Sequence, residues 1–312
     1  MKITKTCILF ICLLIYAAST QAQTDIDAIM MGKHKFCGGL TYMNGSWDKY
    51  WEGTYKRDNQ NLGTITTQSL NLMGNYGISS KLNVLFNVPY VWTHASAGTL
   101  HGMKGFQDLS LWLKWMPVET GLGNGTFSLY AMGGFSTPLS NYTPDFLPMS
   151  IGLHSTAFSG RLMADYQTGN FFVTGSGTYT YRENITIDRN AYYTTQEILS
   201  NKVEMPNMVS MNFRTGYRSY RLIAEAVFND MITLGGFDIR KNDMPFPSNK
   251  MNAASVGVNL KYEIPPVDGL SVTGAADYVV AGRNVGQTKM FSLGVFYIFD
   301  FNHHLKPTSK TN

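Results

Sequence analysis

The sequence predicts an all-β fold, a transmembrane antiparallel up-and-down β-barrel of about twelve strands. Apolar and polar residues alternate along most of the chain, which is the pattern of strands with two different faces. The connections between these segments are short and long in turn, as in single-chain barrels with short periplasmic turns and long extracellular loops. Aromatic residues close the ends of the apolar faces, where a barrel meets the lipid headgroups.

The amino terminus has the features of a secretory signal peptide, which we assign to residues 1–22. Lys2 and Lys5 precede an apolar run at 7–18, and the small residues around Ala22 suit cleavage by a signal peptidase. The run is too short to cross a membrane comfortably as a helix. The mature chain is then expected to have a periplasmic N-terminal segment at 23–35, a barrel at 36–301 and a periplasmic tail at 302–312.

Period-two alternation between turn residues places candidate strands along the whole barrel region. Their spans are 36–44, 65–78, 81–94, 106–117, 125–137, 153–167, 170–183, 206–218, 220–234, 251–264, 268–281 and 288–301. Short turns follow every second strand, and longer loops lie at 45–64, 95–105, 138–152, 184–205, 235–250 and 282–287. An even number of strands leaves both termini on the periplasmic side.

The apolar faces are assigned to the lipid and the polar faces to the lumen. The charged candidates for lining the lumen are Asp108, Lys114, Arg161, Asp165, Arg182, Arg214, Glu225, Lys261, Glu263 and Asp277. Basic and acidic residues are equally numerous among them, which favours a cross-linked interior over a strongly charge-selective pore. For Asp108 we favour an ion pair across the lumen over a carboxylate that lines a solute path.

A soluble antiparallel sandwich or a lipocalin-like barrel is the alternative fold, because periodicity does not distinguish the inside from the outside of a sheet. Its apolar face would be the core. The signal peptide, the aromatic ends of the strands and the alternation of loop lengths favour the membrane barrel, whose closure also satisfies every strand edge.

The last strand carries a short resemblance to the carboxy-terminal assembly signal of bacterial outer-membrane barrels. Its residues are Ser292, Gly294, Tyr297 and Phe299. The resemblance implies outer-membrane lipids and the barrel assembly machinery as partners. The expected location is the outer membrane of a Gram-negative bacterium.

Composition excludes several other classes of protein. Cleavage leaves Cys37 as the single cysteine, so an intramolecular disulfide is impossible, and His34 nearby makes only a weak metal site. Removal of Lys2 and Lys5 lowers the formal net charge from +4 to +2, which is too small to indicate nucleic acid. The mean hydropathy is −0.12, and no mature segment is apolar enough for a transmembrane helix. We expect no cofactor and no bound metal.

Two segments on strands three and four carry a family resemblance. The sequence Asn87-Val88-Pro89-Tyr90-Val91 precedes a loop, and Gly105-Phe106-Gln107-Asp108 leads into the next strand. They resemble the outer-membrane transporters grouped with the meta-pathway of phenol degradation, although Gln107 stands where a second glycine is usual. The resemblance implies a channel or transporter for small hydrophobic molecules, related to the long-chain fatty-acid transporters. The alternatives are an accessory barrel of an envelope complex, with protein partners and no conductance, and a lipid hydrolase.

The first long loop is a candidate gate or ligand-binding element. It contains Trp47, Tyr50, Trp51 and Tyr55 among charged residues, and aromatic side chains with polar tips suit the mouth of a channel. An interface belt with a solvated loop explains the same residues equally well. The loop at 184–205, with Tyr192 and Tyr193, is a second candidate lid.

The sequence argues against a hydrolase. A membrane-embedded His and Ser pair needs both side chains on one face of a strand, whereas His154 and Ser155 are adjacent and are expected on opposite faces. His94 and Ser96 have a suitable spacing, but they fall where a strand enters a loop. The pair His303 and His304 is interpreted as a solvated tail.

Overall fold

The structure, a computed structural model, describes residues 26–241 and 243–301. The signal peptide and the tail with His303 and His304 therefore lie outside the described residues. Twelve long strands occur in the described part. They are β1 (Lys35–Trp47), β2 (Ile65–Ser79), β3 (Leu82–Ala95), β4 (Asp108–Leu122), β5 (Gly125–Pro138), β6 (Ala157–Thr168), β7 (Phe171–Arg182), β8 (Asn207–Arg218), β9 (Leu222–Leu234), β10 (Asn252–Glu263), β11 (Leu270–Arg283) and β12 (Lys289–Asp300).

These strands form one closed antiparallel sheet in which each strand pairs with its neighbours in the sequence. Closure is made by β12 and β1, with Lys35 opposite Asp300 and Ser46 opposite Lys289. The prediction of an up-and-down barrel is confirmed. None of the helices in the described ranges is both long and apolar enough to span a membrane.

The side chains confirm which face of the wall is outside. On β4, Leu113 is 47% exposed and Trp115 is 51% exposed, whereas Lys114 between them is 0% exposed. On β12, Leu293 is 71% exposed on the same outer surface. An apolar exterior around a polar interior is the reverse of a soluble barrel, so the outer surface is the one that faces lipid.

The glycine of the C-terminal signal has a packing reason. Gly294 faces inward, and a Cβ atom on it would lie 2.6 Å from the hydroxyl oxygens of Thr41 and Thr273 on the two neighbouring strands. An added Cβ atom would force both threonine side chains to move, which favours glycine at this position. Tyr297 and Phe299 face outward, with ring centroids 4.8 Å apart.

Strand ends differ from the predictions in three places that matter for function. β1 continues to Trp47, which moves this residue from the loop to the inward face. β4 continues to Leu122 because an extra residue between Trp115 and Val118 forms a bulge that accommodates Pro117, a residue without an N–H group. β6 begins at Ala157, later than predicted.

The ladder of paired residues between β3 and β4 has a local break. β4 pairs with β3 only from Leu82 to Asn87, and beyond that point β3 pairs with the short strand Lys104–Phe106. Pro89 offers no donor, and its carbonyl oxygen instead accepts from the Gln107 amide at 3.0 Å. The break coincides with the two segments that carry the family resemblance.

Connections at one end of the barrel have two to six residues, and those at the other end are longer except for 284–288. We call these the turn end and the loop end. The loop end contains three two-stranded hairpins or bridges: Lys49–Glu52 with Tyr55–Asp58, Ile185–Thr186 with Lys202–Val203, and Tyr192–Tyr193 with Glu197–Ile198.

The assignment of lipid-facing and lumen-facing side chains predicts that two adjacent positions of β4 differ in how well they tolerate a charged residue. Leu111→Arg places a charge against lipid and should cost about 2–4 kcal/mol near the midplane. Ser110→Arg, the matched control, points the same charge into the polar lumen and should fold with nearly wild-type yield. Refolding yield in lipid, followed by heat-modified mobility on gels, measures both. Equal loss in the two variants, or greater loss for Ser110→Arg, would contradict the assignment.

Candidate functional site: the lumen and the two segments inside it

Charged side chains inside the barrel form ion pairs. Some pairs join two neighbouring strands, and others join two residues of the same strand. Arg214 Nη1 lies 2.7 Å from Glu225 Oε1, and Lys261 Nζ lies 3.2 Å from Glu263 Oε1. All four side chains are largely buried. Pairing compensates charges that are removed from bulk water, so the interior is cross-linked as the balanced composition indicated.

Two other predicted lumen residues have partners that the sequence did not indicate. Asp165 Oδ2 lies 3.3 Å from Arg218 Nη1, and Asp27 Oδ1 lies 3.1 Å from Lys114 Nζ. Arg218 is the last residue of β8, and Asp27 precedes the first strand. Neither position belongs to the regular alternation of a strand interior, which is why the pattern missed them.

Three more predicted residues bind uncharged groups. The contacts are Arg161 Nε to Thr178 Oγ1 at 2.7 Å, Arg182 Nη2 to the Met208 sulfur at 3.3 Å, and Ser255 Oγ to Asp277 Oδ2 at 3.2 Å. The Arg161 guanidinium also lies over the Trp112 ring, 4.5 Å from its centroid. Such contacts hold these side chains against the wall of the lumen.

Residues 26–34, which we call the inner segment, run through the lumen near the turn end. Lys114 anchors this segment. Its Nζ donates to the carbonyl oxygens of Asp27 at 2.5 Å and Ile29 at 2.9 Å, in addition to the Asp27 carboxylate. The Tyr130 hydroxyl donates to the carbonyl oxygen of Ala28 at 2.8 Å. These bonds satisfy backbone groups that would otherwise be buried without partners.

Apolar contacts hold both ends of the inner segment. Ala28 packs in a cluster with Met116, Met132 and Met163 on the β4 to β6 side of the barrel. Met31 packs with Cys37, Phe296 and Ile298 on the β1 and β12 side. The segment therefore crosses the lumen from one wall to the other. Its contacts explain why Phe296 and Ile298, two apolar residues, face inward.

Residues 139–156, which we call the inner loop, fold into the loop end. The inner loop leaves β5 and returns to β6, yet it contacts inward side chains of β1, β2 and β3. Met149 is fully buried, and its carbonyl oxygen accepts from Thr93 Oγ1 at 2.6 Å. Met149 packs with Ile65 and Trp47, and Ile151 packs with Val91. The inner loop thus lies across the loop end of the lumen.

Asp108 anchors the inner loop, and the predicted ion pair across the lumen is wrong. Tyr142 in the inner loop donates its hydroxyl to Asp108 Oδ1 at 2.5 Å and accepts from the His154 amide at 2.8 Å. Burial, reinforced by the bond to Asp108, raises the pKa of the Tyr142 hydroxyl well above its ordinary range. Tyr142 therefore stays protonated and remains a donor.

Gln107 also contacts the inner loop. Its side-chain nitrogen and the Tyr142 hydroxyl surround Gly152, where an added Cβ atom would lie 3.0 and 2.5 Å from them. The Gln107 carbonyl oxygen accepts from the Leu139 amide at 2.9 Å, at the start of the loop. The segment that carries the family resemblance is thus the base on which the inner loop is fixed.

The predicted gate residues of the first loop lie mainly against another loop. The Trp51 amide donates to the Val285 carbonyl oxygen at 2.9 Å, and the Trp51 side chain is 8% exposed. Tyr50 bridges to Gly286, whereas Tyr55 is 65% exposed at the hairpin end. Trp47 is the one member of this set that contacts the inner loop. Sequence reasoning missed the inner loop because its contacts follow no period.

Other loops cover the inner loop from outside. Arg189, in the predicted second lid, forms an ion pair with Asp145. Tyr192 of the same lid stacks on Phe246 with centroids 5.4 Å apart, and the loop at 235–251 is tied to β11 through Arg283 and Asp238, 2.5 Å apart. Hydrogen bonds from Arg283 lower the pKa of the Asp238 carboxyl.

The weaker sequence candidates have structural explanations. His154 and Ser155 lie in the inner loop rather than on a strand, so the argument from opposite strand faces does not apply to them. Ser155 Oγ donates to the Glu183 carbonyl oxygen at 2.5 Å, and Ser96 Oγ accepts from the Thr64 amide at 2.8 Å. Cys37 is buried in the cluster with Met31. Within the described ranges, no group of three or more His, Cys, Asp or Glu residues is placed to hold a metal ion.

Comparison with models of protein families shows which family the chain belongs to. The family described as "Putative MetA-pathway of phenol degradation" matches residues 61–218, slightly more than half of the 312-residue chain. The chain belongs to this family. The match extends from the first long loop to the end of β8 and includes the inner loop, its base and Lys114. The predicted relationship is thereby confirmed.

One solved structure supports the fold, and a second is a weaker match. The COG4313 outer membrane channel from Pseudomonas putida F1 is 15% identical, with a TM-score of 0.66 over 89% of this chain and 100% of that chain. The translocator domain of the autotransporter NalP from Neisseria meningitidis is 12% identical, with a TM-score of 0.44 over 88% of this chain and 91% of that one. No curated protein sequence matches the chain significantly. The likeness to the COG4313 channel shows that the fold is that of an outer-membrane barrel.

Proposed function

We propose that this member of the phenol-degradation family is a gated channel for small, hydrophobic molecules in the outer membrane of a Gram-negative bacterium. The observation that carries the proposal is a polar lumen crossed by two separate segments, the inner loop at the extracellular end and the inner segment at the periplasmic end. A lumen with an obstruction near each end suits controlled passage better than free diffusion.

Each obstruction is packed with apolar side chains, which a solute would contact once the segment moves aside. At the extracellular end, the inner loop presents Phe146 and Met149 beside Leu62 and Trp47. At the periplasmic end, Met30 lies beside Met116 and Met163. Thioether side chains adapt to irregular shapes, which suits binding of varied apolar groups. This arrangement supports hydrophobic cargo, while the ion pairs of the wall keep the strands in place during passage.

A second candidate is an accessory barrel without conductance. The same two obstructions favour it, because both are fixed by buried hydrogen bonds. Its partners would be other envelope proteins. Such a role requires the lumen to stay filled under all conditions.

Planar bilayers and liposomes distinguish the two functions. A channel should give small, fluctuating conductance steps in the wild type and admit small aromatic solutes faster than sugars of similar mass in liposome assays. A filled barrel should give silent bilayers and no solute entry at any size. Silence together with stable recovery of envelope proteins after purification would replace the channel with the accessory role.

A further inference from the structure

A vestibule lies at the periplasmic end of the lumen, beside the inner segment. It consists of two adjoining cavities of about 600 and 500 Å³, which share Ala28, Glu119, Tyr130, Gln167 and Arg218 as lining residues. Residues of four periplasmic turns, among them Ser80, Asn124, Gly169 and Ser219, complete its walls. A solute that passes the inner segment must cross this space.

Among the described residues that line the vestibule, the charged ones are Glu119, Asp165 and Arg218. Arg218 is neutralised by Asp165 at 3.3 Å and donates to Gln167 Oε1 at 3.0 Å. Its guanidinium is 3.9 Å from the centroid of the Phe172 ring, which fixes its plane. The positive charge of Arg218 is therefore compensated within the wall.

Glu119 reaches the vestibule because of the bulge in β4. Before the bulge, even-numbered residues such as Lys114 face the lumen and Trp115 faces lipid. After it, Glu119 pairs directly with Ser128 of β5, an inward residue, so Glu119 faces inward as well. No hydrogen bond or ion pair holds its carboxylate among the residues that the structure describes. A regular strand would have pointed this charge away from the lumen.

We propose that Glu119 is the residue that gives the channel its preference for cationic solutes, including small organic ammonium ions, at the periplasmic mouth. The inference rests on the proposed channel function. A single uncompensated carboxylate in a cavity with protein walls raises the local concentration of cations and lowers that of anions. The bulge supplies the placement, and the Asp165 to Arg218 pair removes the competing charge.

Reversal potentials in a KCl gradient test the proposal. Glu119→Gln should lower the ratio of potassium to chloride permeability by about threefold, which is the combined effect on cation and anion of one charge roughly 12 Å from the path in water-like surroundings. Asp268→Asn is the matched control, since it removes the same charge from a periplasmic turn that does not line the vestibule, and its ratio should equal the wild type. An unchanged ratio in Glu119→Gln would overturn the proposal.

A second measurement does not depend on conductance. Thr126→Cys, made together with Cys37→Ser, places a single thiol on the vestibule wall. A trimethylammonium thiosulfonate should modify it faster than a sulfonate analogue, relative to free thiol, and Glu119→Gln should reduce this advantage about threefold. If bilayers are silent but the ratio of the two modification rates still depends on Glu119, the channel function is refuted and the charge preference is retained. A rate ratio independent of Glu119 would refute the charge preference itself.

Discussion

Replacement of residues 141–153 by a short flexible linker is expected to increase single-channel conductance severalfold and to abolish most of its fluctuation. The change removes Tyr142, Phe146, Met149 and Ile151, which occupy the loop end of the lumen. The barrel should still fold, because its strand ladders do not include the loop. Conductance in planar bilayers and heat-modified mobility measure the two effects.

The matched control shortens a loop that does not enter the lumen. Removal of residues 194–196, at the end of the hairpin formed by Tyr192–Tyr193 and Glu197–Ile198, should leave conductance at the wild-type level. A folded inner-loop variant with unchanged conductance would show that the inner loop does not limit flow. An equal increase in both variants would assign the barrier to the packed outer loops instead.

Lys114→Met is expected to release the inner segment and to raise the open fraction of the channel. The substitution removes a fully buried ammonium group that binds two carbonyl oxygens and the Asp27 carboxylate, while the apolar stem is retained. Loss of one partner from a buried ion pair costs about 3–5 kcal/mol. That is large for a segment of nine residues, so the bound state should lose most of its population. Hydrogen exchange at the amides of residues 27–33 and bilayer recordings provide the readouts.

Lys261→Met is the control for this experiment. Lys261 is also a buried lumenal lysine, but its hydrogen bond and ion pair go to Glu263, and its interaction with Asp27 of the inner segment is much weaker. It should fold less stably without faster exchange at residues 27–33. If Lys114→Met and Lys261→Met had the same exchange pattern, the anchor would lie elsewhere. Continued protection of the segment in Lys114→Met would exclude Lys114 as its anchor.

The strand pattern of this chain was predictable because the information is local. Successive side chains of a membrane strand point to the lipid and to the lumen in turn, and polar side chains are costly against lipid. The alternation of apolar and polar residues therefore predicted the strands and which face of each is outside. The exceptions have a cause in the structure. The bulge after Trp115 reverses the alternation for Glu119, and the inner segment covers Phe296 and Ile298, which therefore need not be polar.

The family segment shows the limit of motif reasoning. The sequence singled out Asp108 and suggested an ion pair for it. Its partner is Tyr142 in a loop that the sequence described only as long. A carboxylate at a strand end has several chemically acceptable partners, and only the fold of the loop selects one.

The sequence by itself determined the barrel, the number of its strands, the lipid-facing side of each and the alternation of short turns with long loops. The tertiary structure decided which segments enter the lumen. Thr93 and Met149 are 56 residues apart, and Lys114 and Asp27 are 87 residues apart. Contacts at such separations depend on closure of the barrel, which brings distant strands around one space, and no local period encodes them.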